Sequence, residues 1–180
     1  MVFLALRRKK SRIFVAMEIN GMEITPDMYW TLTLAVLLSL GIRLFYCNTI
    51  RKTLELIAEE NRHMKPKEAW LAMIPIFNIY WNFRIAEKVA NSLTNEFFDR
   101  KIPEEENPGQ AVGYSYAILF ALGNIPVSSG FIFVMGRFSF IFFIRYWLKI
   151  SHFKALLIEH NRFLESNNQN KELKENTYEH

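Results

Sequence analysis

The chain has 180 residues, 51% apolar and 15% aromatic, with 22 Lys/Arg against 18 Asp/Glu and a net charge of +4. Mean hydropathy is +0.02, yet all 18 acidic residues lie outside two windows, 28–54 and 107–158, and that segregation excludes a uniformly amphipathic soluble domain. The basic excess is too small and scattered for a nucleic-acid-binding face, and the single cysteine, Cys47, excludes an internal disulfide.

Residues 1–26 read as a disordered basic leader. Arg7, Arg8, Lys9, Lys10 and Arg12 suit contact with anionic lipid head groups, at about 1 kcal/mol per basic residue. A secretory signal places its charge before the apolar run, whereas here Met1–Leu6 comes before the charges and Ile13–Met17 is too short to follow them. A start at Met17 or Met22 is the alternative reading of this end.

Met28–Cys47 is the first long apolar run, 20 residues with one charge, Arg43. A hydrocarbon core of about 30 Å takes about 20 helical residues, so this run predicts a spanning helix. Pro26 and Asp27 suit its start, since proline lacks only an N–H that would go unbonded and an acid favours the positive dipole end. Asn48–Lys67 is charged but periodic: Ile50, Leu54, Ile57 and Met64 share one face, predicting a helical extension or interfacial helix that stops near Pro66.

Ala69–Phe83 is uncharged but only 15 residues long, with Pro75 and Asn78 in its middle. At 1.5 Å per residue it covers roughly 22 Å. It reads either as a short, Pro-kinked span with Lys67 and Arg84 snorkelling at its ends, or as a re-entrant segment shielded by protein. Next, Ile85–Arg100 predicts an amphipathic helix with Ile85, Ala86, Val89, Ala90, Leu93 and Phe97 on its apolar face, and Lys101–Gly109 is a loop broken by two prolines and a glycine.

Gln110–Val127 is the third predicted span. Gly109, Gly113, Ala117 and Ala121 recur every fourth residue, a small-residue stripe that lets helix backbones approach closely within the molecule or between copies. A turn at 124–130 leads to the fourth span, Phe131–Leu148, which contains Arg137 and Arg145, and periodicity continues through Ile150, Phe153 and Leu157. Ser166–His180 is polar and expected to be disordered. Trp and Tyr fall near the span ends, where a half-solvated ring is favoured, and Phe fills the interiors.

Four spans put both termini on one side together with the 84–110 connection. That side holds 12 Lys/Arg against 5 opposite, which by the positive-inside rule favours N-in and C-in in a cell (inner) membrane. Discounting the leader leaves 7 against 5.

Polar groups inside apolar runs are candidate sites: Asn78 with Pro75, and Arg43 and Arg145, which also lie close enough to span ends to snorkel. No His-Glu-x-x-His, Gly-x-Ser-x-Gly, phosphate-binding glycine loop or cysteine pair is present, and His152 and His160 are eight residues apart, too far to share a metal on one helix. The expectation is therefore a non-enzyme without metal or cofactor.

The block Asn61-Arg62-His63-Met64-Lys65-Pro66, Trp70-Leu71, Ile74-Pro75, Phe77-Asn78 and Trp81 resembles an uncharacterised family of small bacterial, Bacteroidetes-type multi-pass membrane proteins. Ser92-Leu93, Glu96-Phe97, Arg100, Tyr146-Trp147 and Lys149-Ile150 carry the same resemblance, over roughly residues 45–157; residues 1–16 have no counterpart in it. It implies a membrane location without an assigned chemistry, and it draws attention to the Asn61–Trp81 junction.

The resulting expectation is an all-α integral membrane bundle of four helices (28–47, 69–83, 110–127 and 131–148) within 27–166, with amphipathic extensions and a disordered tail at 167–180. Its partners would be the lipid bilayer and a second copy or another membrane protein. The leading role is structural or accessory, through helix packing; the other is a small transporter or channel with a polar path around Pro75 and Asn78.

Overall fold

The computed structural model describes residues 26–178, so the leader lies outside the described residues. Among these, all regular structure is helical: α1 (Pro26–Leu56), α2 (Phe77–Asp99), α3 (Gln110–Gly123) and α4 (Ser129–Tyr178), with short 3₁₀ segments at Glu59–Asn61 and Pro66–Met73. The chain divides into two units at Ile42/Arg43, within α1.

The first part of α1 is apolar on every side. Trp30, Leu32, Leu34, Val36, Leu37, Leu38 and Leu40 are all exposed. Two of its hydroxyls bond back into the helix, Thr31 Oγ1 to Asp27 O at 2.9 Å and Ser39 Oγ to Val36 O at 2.8 Å.

From Arg43 onward several segments pack against one another, although the first part of α4 stays largely exposed. The end of α1 buries Tyr46, Cys47, Ile50 and Leu54, while α4 buries Ser139, Phe143, Tyr146, Ile150, Phe153 and Leu157. That α4 stripe alternates spacings of four and three, the period that keeps one face of a helix against its neighbours. Contacts run in step, Tyr46 with Phe143 (5.0 Å between rings) and Thr49 Oγ1 accepting from Trp147 Nε1 (3.0 Å), so this part of α1 is parallel to α4. α3 runs antiparallel to α4, with Tyr116 beside Phe143 and Gly123 beside Gly136.

Two helices, Asp27–Leu56 and Ser129–Lys171, are long and apolar enough to cross a membrane. Only 11% and 17% of their most apolar windows are buried, unlike the core helices of a soluble protein. The other two expected spans, 69–83 and 110–127, are not among them; the apolar helix within the latter, Gln110–Gly123, is shorter.

Residues 69–83 do not form one helix: a 3₁₀ segment ends at Met73, the chain turns at Ile74–Ile76, and α2 begins at Phe77. The chain then runs back beside itself. Trp81 Nε1 donates to Glu68 O (2.9 Å), His63 N to Ser92 Oγ (2.8 Å) and Asn61 Nδ2 to Glu96 Oε2 (2.9 Å), so the separation in sequence grows steadily away from the turn. This is an antiparallel hairpin, the shape of the re-entrant reading rather than of the kinked span.

The hairpin apex has a definite backbone cause. Pro75 cannot donate a helical hydrogen bond, and Ile76 adopts φ 66°, ψ −52° with Phe77 N donating to Pro75 O at 2.7 Å. That is a γ-turn of the rare, strained hand, unusual for a β-branched residue. Around it Ile74, Ile76, Phe77 and Tyr80 are exposed.

Other boundaries also move. α1 stops at Leu56, about ten residues before the expected end, because its last carbonyls are taken up: Arg62 Nε bonds Ile57 O (2.8 Å) and its Nη2 bonds Glu55 O (3.2 Å). Met64 is buried as expected, but from a loop rather than a helix. α3 has 14 residues, about 21 Å, and ends where Asn124 Nδ2 bonds Phe120 O (2.7 Å) ahead of Pro126. α4 starts at Ser129, with Ser128 Oγ accepting from Phe131 N (3.3 Å) as an N-cap. α4 continues through Tyr178 where a disordered tail was expected, and residues 167–178 contain neither Pro nor Gly to stop it.

Candidate functional site

The hairpin carries the polar groups, and those at its open end form one bonded network. Glu96 lies on α2 one turn from Ser92 and Arg100, in line with the buried face, and is 2% exposed. Its Oε2 accepts from Ala58 N (3.0 Å) and Asn61 Nδ2 (2.9 Å), and its Oε1 pairs with Arg100 at 2.6 Å. Arg100 in turn donates to Leu56 O (3.0 Å) and to Asn161 Oδ1 (2.5 Å), while Asn61 Nδ2 also reaches Asp99 Oδ2 (2.7 Å). A guanidinium with a planar fork of donors suits this task, tying the end of α1, α2 and α4 at one point.

The network is structural in design. Every oxygen of Glu96 is bonded and its charge is matched, the condition under which a buried ion is tolerated. Ser92 and His63 meet beside Asn61, Glu96 and Arg100, His63 N donating to Ser92 Oγ at 2.8 Å. Asn61 and His63 lie in the Asn61–Trp81 junction that the sequence draws attention to, whereas Glu96 and Arg100 are not among the candidate site residues. The available signal was Glu96 itself, an acid at a position continuing the apolar face of Val89, Leu93 and Phe97.

The helix end beside it is closed by a loop with its own anchors. Lys101, at φ 55°, ends α2 in a left-handed cap, with Ile102 N bonded to Phe97 O (2.9 Å) and Lys101 N to Phe98 O (3.1 Å). Glu105 accepts from Gly109 N (2.8 Å) and pairs with Lys149 at 2.6 Å. Partial burial pushes the Glu105 carboxyl up, but the Lys149 ammonium and the Gly109 N–H more than reverse this and hold it below its ordinary range.

The small-residue stripe is used inside the molecule. A Cβ on Gly113 would stand 2.8 Å from both Ala86 Cβ and Tyr146 Cε2, and Ala117 is fully buried. Gly109 faces Phe153, Tyr146 and Ile150 at 3.6–3.7 Å, and Ala121 is half-buried. Of the two uses the spacing allowed, the contacts made are the internal ones, wedging α3 between α2 and α4.

The four candidate polar residues do not form one site. Pro75 is exposed at the apex and Asn78 is buried just behind it, its N–H donating to Ile74 O at 3.0 Å. Arg43 is half-buried over the Phe120 ring (5.4 Å), and Arg145 is exposed over Phe142 (5.9 Å). Arg137, also exposed, lies 4.2 Å from the centre of Phe133 beside a shallow apolar groove that includes Gly136 and Phe140.

Asn78 instead belongs with polar groups that the sequence did not mark. Asn82, one turn on, is 3% exposed and donates to Tyr116 Oη at 3.3 Å. Tyr46 and Tyr146, expected at a membrane boundary, are buried with their rings 6.3 Å apart, and neither hydroxyl has a hydrogen-bond partner.

A mixed-charge cleft of about 740 Å³ opens on the hairpin's flank, lined by Arg62, His63, Lys65, Lys67, Glu68 and Lys88 among others. Glu68 Oε2 is buried there with no hydrogen-bond partner. Compared with protein families, curated proteins and solved structures, the chain matches none.

Proposed function

We propose that the chain is a multi-pass integral membrane protein without enzymatic activity, a structural or accessory component built from three crossing helices and one re-entrant hairpin. In this reading α1, α3 and the first part of α4 cross, and the Pro66–Asp99 hairpin dips in and returns. The observation that carries it is the contrast between exposed, uniformly apolar helix surface and a fully bonded polar network at one end. Lipid is the solvent in which such a surface is stable.

The reversal changes the parity of the crossings, so the termini fall on opposite sides in place of the N-in, C-in arrangement. Arg51, Lys52, Arg62, Lys65, Lys67, Arg84, Lys88, Arg100, Lys101, Lys149, Lys154 and Arg162 then share one side, 12 against the leader's 5, favouring C-in and N-out.

Cysteine-accessibility mapping tests this in a Cys47→Ser background. Cysteines at Lys65 and at Lys101 should react with an impermeant thiol reagent from the same side, and one at Ile76 should be protected. Labelling of Lys65 and Lys101 from opposite sides would restore four crossings and sink the hairpin.

A second reading, a small transporter or channel, is favoured by the buried Asn78 and Asn82 on the re-entrant arm, with Tyr116 of α3 accepting from Asn82. Broken segments of this kind tolerate irregular backbone where they line a path. Asn78→Leu should then abolish solute or ion flux in proteoliposomes while expression is kept; unchanged flux would count against it.

A further inference from the structure

The mixed-charge cleft has features that the folded chain itself leaves unfinished. It is lined by Pro66, Lys67 and Glu68 of the second 3₁₀ segment, by Glu55 near the end of α1 and by Lys88 on α2. It lies between Trp81, whose indole N–H bonds Glu68 O, and the open end of the hairpin at Asn61 and Glu96. α2 contacts α3 in register, Asn82 with Tyr116 and Phe83 with Tyr114, so the cleft sits beside the ends of the apolar stretches of α3 and α4. In the membrane reading, on which this inference rests, that is the level of the lipid head groups.

The charges in the cleft are unmatched in a specific way. Arg62 is occupied with the carbonyls of Glu55 and Ile57, and Glu55 is paired with Arg51. Among the described residues Lys65, Lys67 and Lys88 have no carboxylate partner, and Lys88 instead stands 5.9 Å over the Trp81 ring. Glu68 lies among these lysines yet makes no ion pair, and its Oε2 is sealed from water without a donor. A carboxylate left so costs free energy that a ligand's donor recovers.

We propose that this cleft binds the head group of an amine-bearing phospholipid, the phosphate held by Lys65, Lys67 and Lys88 and the primary ammonium by Glu68. The three lysines supply point charges for a phosphate, and an N–H donor is what the Glu68 carboxylate lacks. A cation without N–H donors, such as a quaternary ammonium, gives Glu68 charge but no hydrogen bond. A head group with phosphate alone satisfies only the lysines.

The test is native mass spectrometry of the full chain in mild detergent, titrated separately with phosphatidylethanolamine, phosphatidylcholine and phosphatidylglycerol. Phosphatidylethanolamine should bind about tenfold more tightly than phosphatidylcholine, and Glu68→Gln should remove that preference while leaving phosphatidylglycerol binding in place. Lys65→Gln with Lys67→Gln, both exposed, should weaken all three lipids and keeps the test available should Glu68 variants not fold. Equal affinity for phosphatidylethanolamine and phosphatidylcholine, or a preference untouched by Glu68→Gln, would overturn the proposal. Soluble O-phosphoethanolamine competing at the concentration of the lipid would also overturn it, by making a free phosphoamine the occupant. Alkaline carbonate extraction separates the two levels of the argument. Release of the protein from membranes would refute the membrane reading itself, whereas retained protein without lipid preference would refute the cleft alone.

Discussion

Helix α1 is one continuous element with two unlike halves. Its first part, through Ile42, has Leu34, Leu37 and Leu38 more than half exposed, while its second part buries Ile50 and Leu54 completely. Leucine and isoleucine supply both surfaces, so residue type does not separate them. The difference is the partner: the second half meets α4, whereas the first keeps its apolar surface free within its own unit. Hydropathy therefore reports an apolar surroundings without saying whether protein or lipid provides it.

That comparison is broken most severely at the polar network that ends the packed half. Glu96→Ala leaves the Arg100 guanidinium, the Ala58 N–H and the Asn61 amide without their acceptor, and should cost about 3–5 kcal/mol. Thermal unfolding of detergent-purified protein checks this; an unchanged transition would mean that the network is not closed in solution. Next, Leu54→Ala should cost about 2–5 kcal/mol by opening a cavity, while Leu37→Ala on the same helix should stay within about 0.5 kcal/mol. Equal losses from the two would erase the distinction between the halves.

Smaller effects sharpen the picture of the hairpin and its loop. Ile76→Gly places a residue free to take positive φ at the apex and should stabilise the turn by about 1 kcal/mol, read as slower proteolysis between 70 and 80. Faster cleavage there would show that the isoleucine side chain matters more than its backbone strain. The smallest effect concerns acid. The Glu105 carboxyl titrates below its unfolded value, so its contribution is present above that value and is lost as pH falls through the lowered one. Glu105→Gln should therefore flatten the acid limb of a stability–pH curve slightly, since the pair is exposed to solvent.

Much of the local structure was legible from the chain. Ile85, Ala86, Val89, Ala90, Leu93 and Phe97 are all buried along α2 as their spacing requires. The 101–109 loop and the turn before α4 also fall where Pro and Gly place them. The candidate site was less legible. Asn78 and Pro75 mark the hairpin, but Arg43 and Arg145 stand elsewhere, and Glu96, Arg100 and Glu68 are not among the candidate site residues the pattern offers. A periodic pattern identifies which side of a helix is buried; it does not identify which distant group will meet a charge there.

The sequence by itself determined that this protein is helical, that its acids are kept out of two long apolar windows, and where its helices face inward, because these follow from side-chain spacing and local backbone preference. Only the tertiary structure decided that the chain turns back at Ile76, that the small-residue stripe packs internally, and that Asn61, Glu96, Arg100 and Asn161 converge. A proline states that a helix is interrupted, but the direction taken afterwards depends on the contacts both arms make. Here the hydrogen bonds from Trp81 to Glu68, His63 to Ser92 and Asn61 to Glu96 draw the arms together, and they join residues 13 to 35 positions apart.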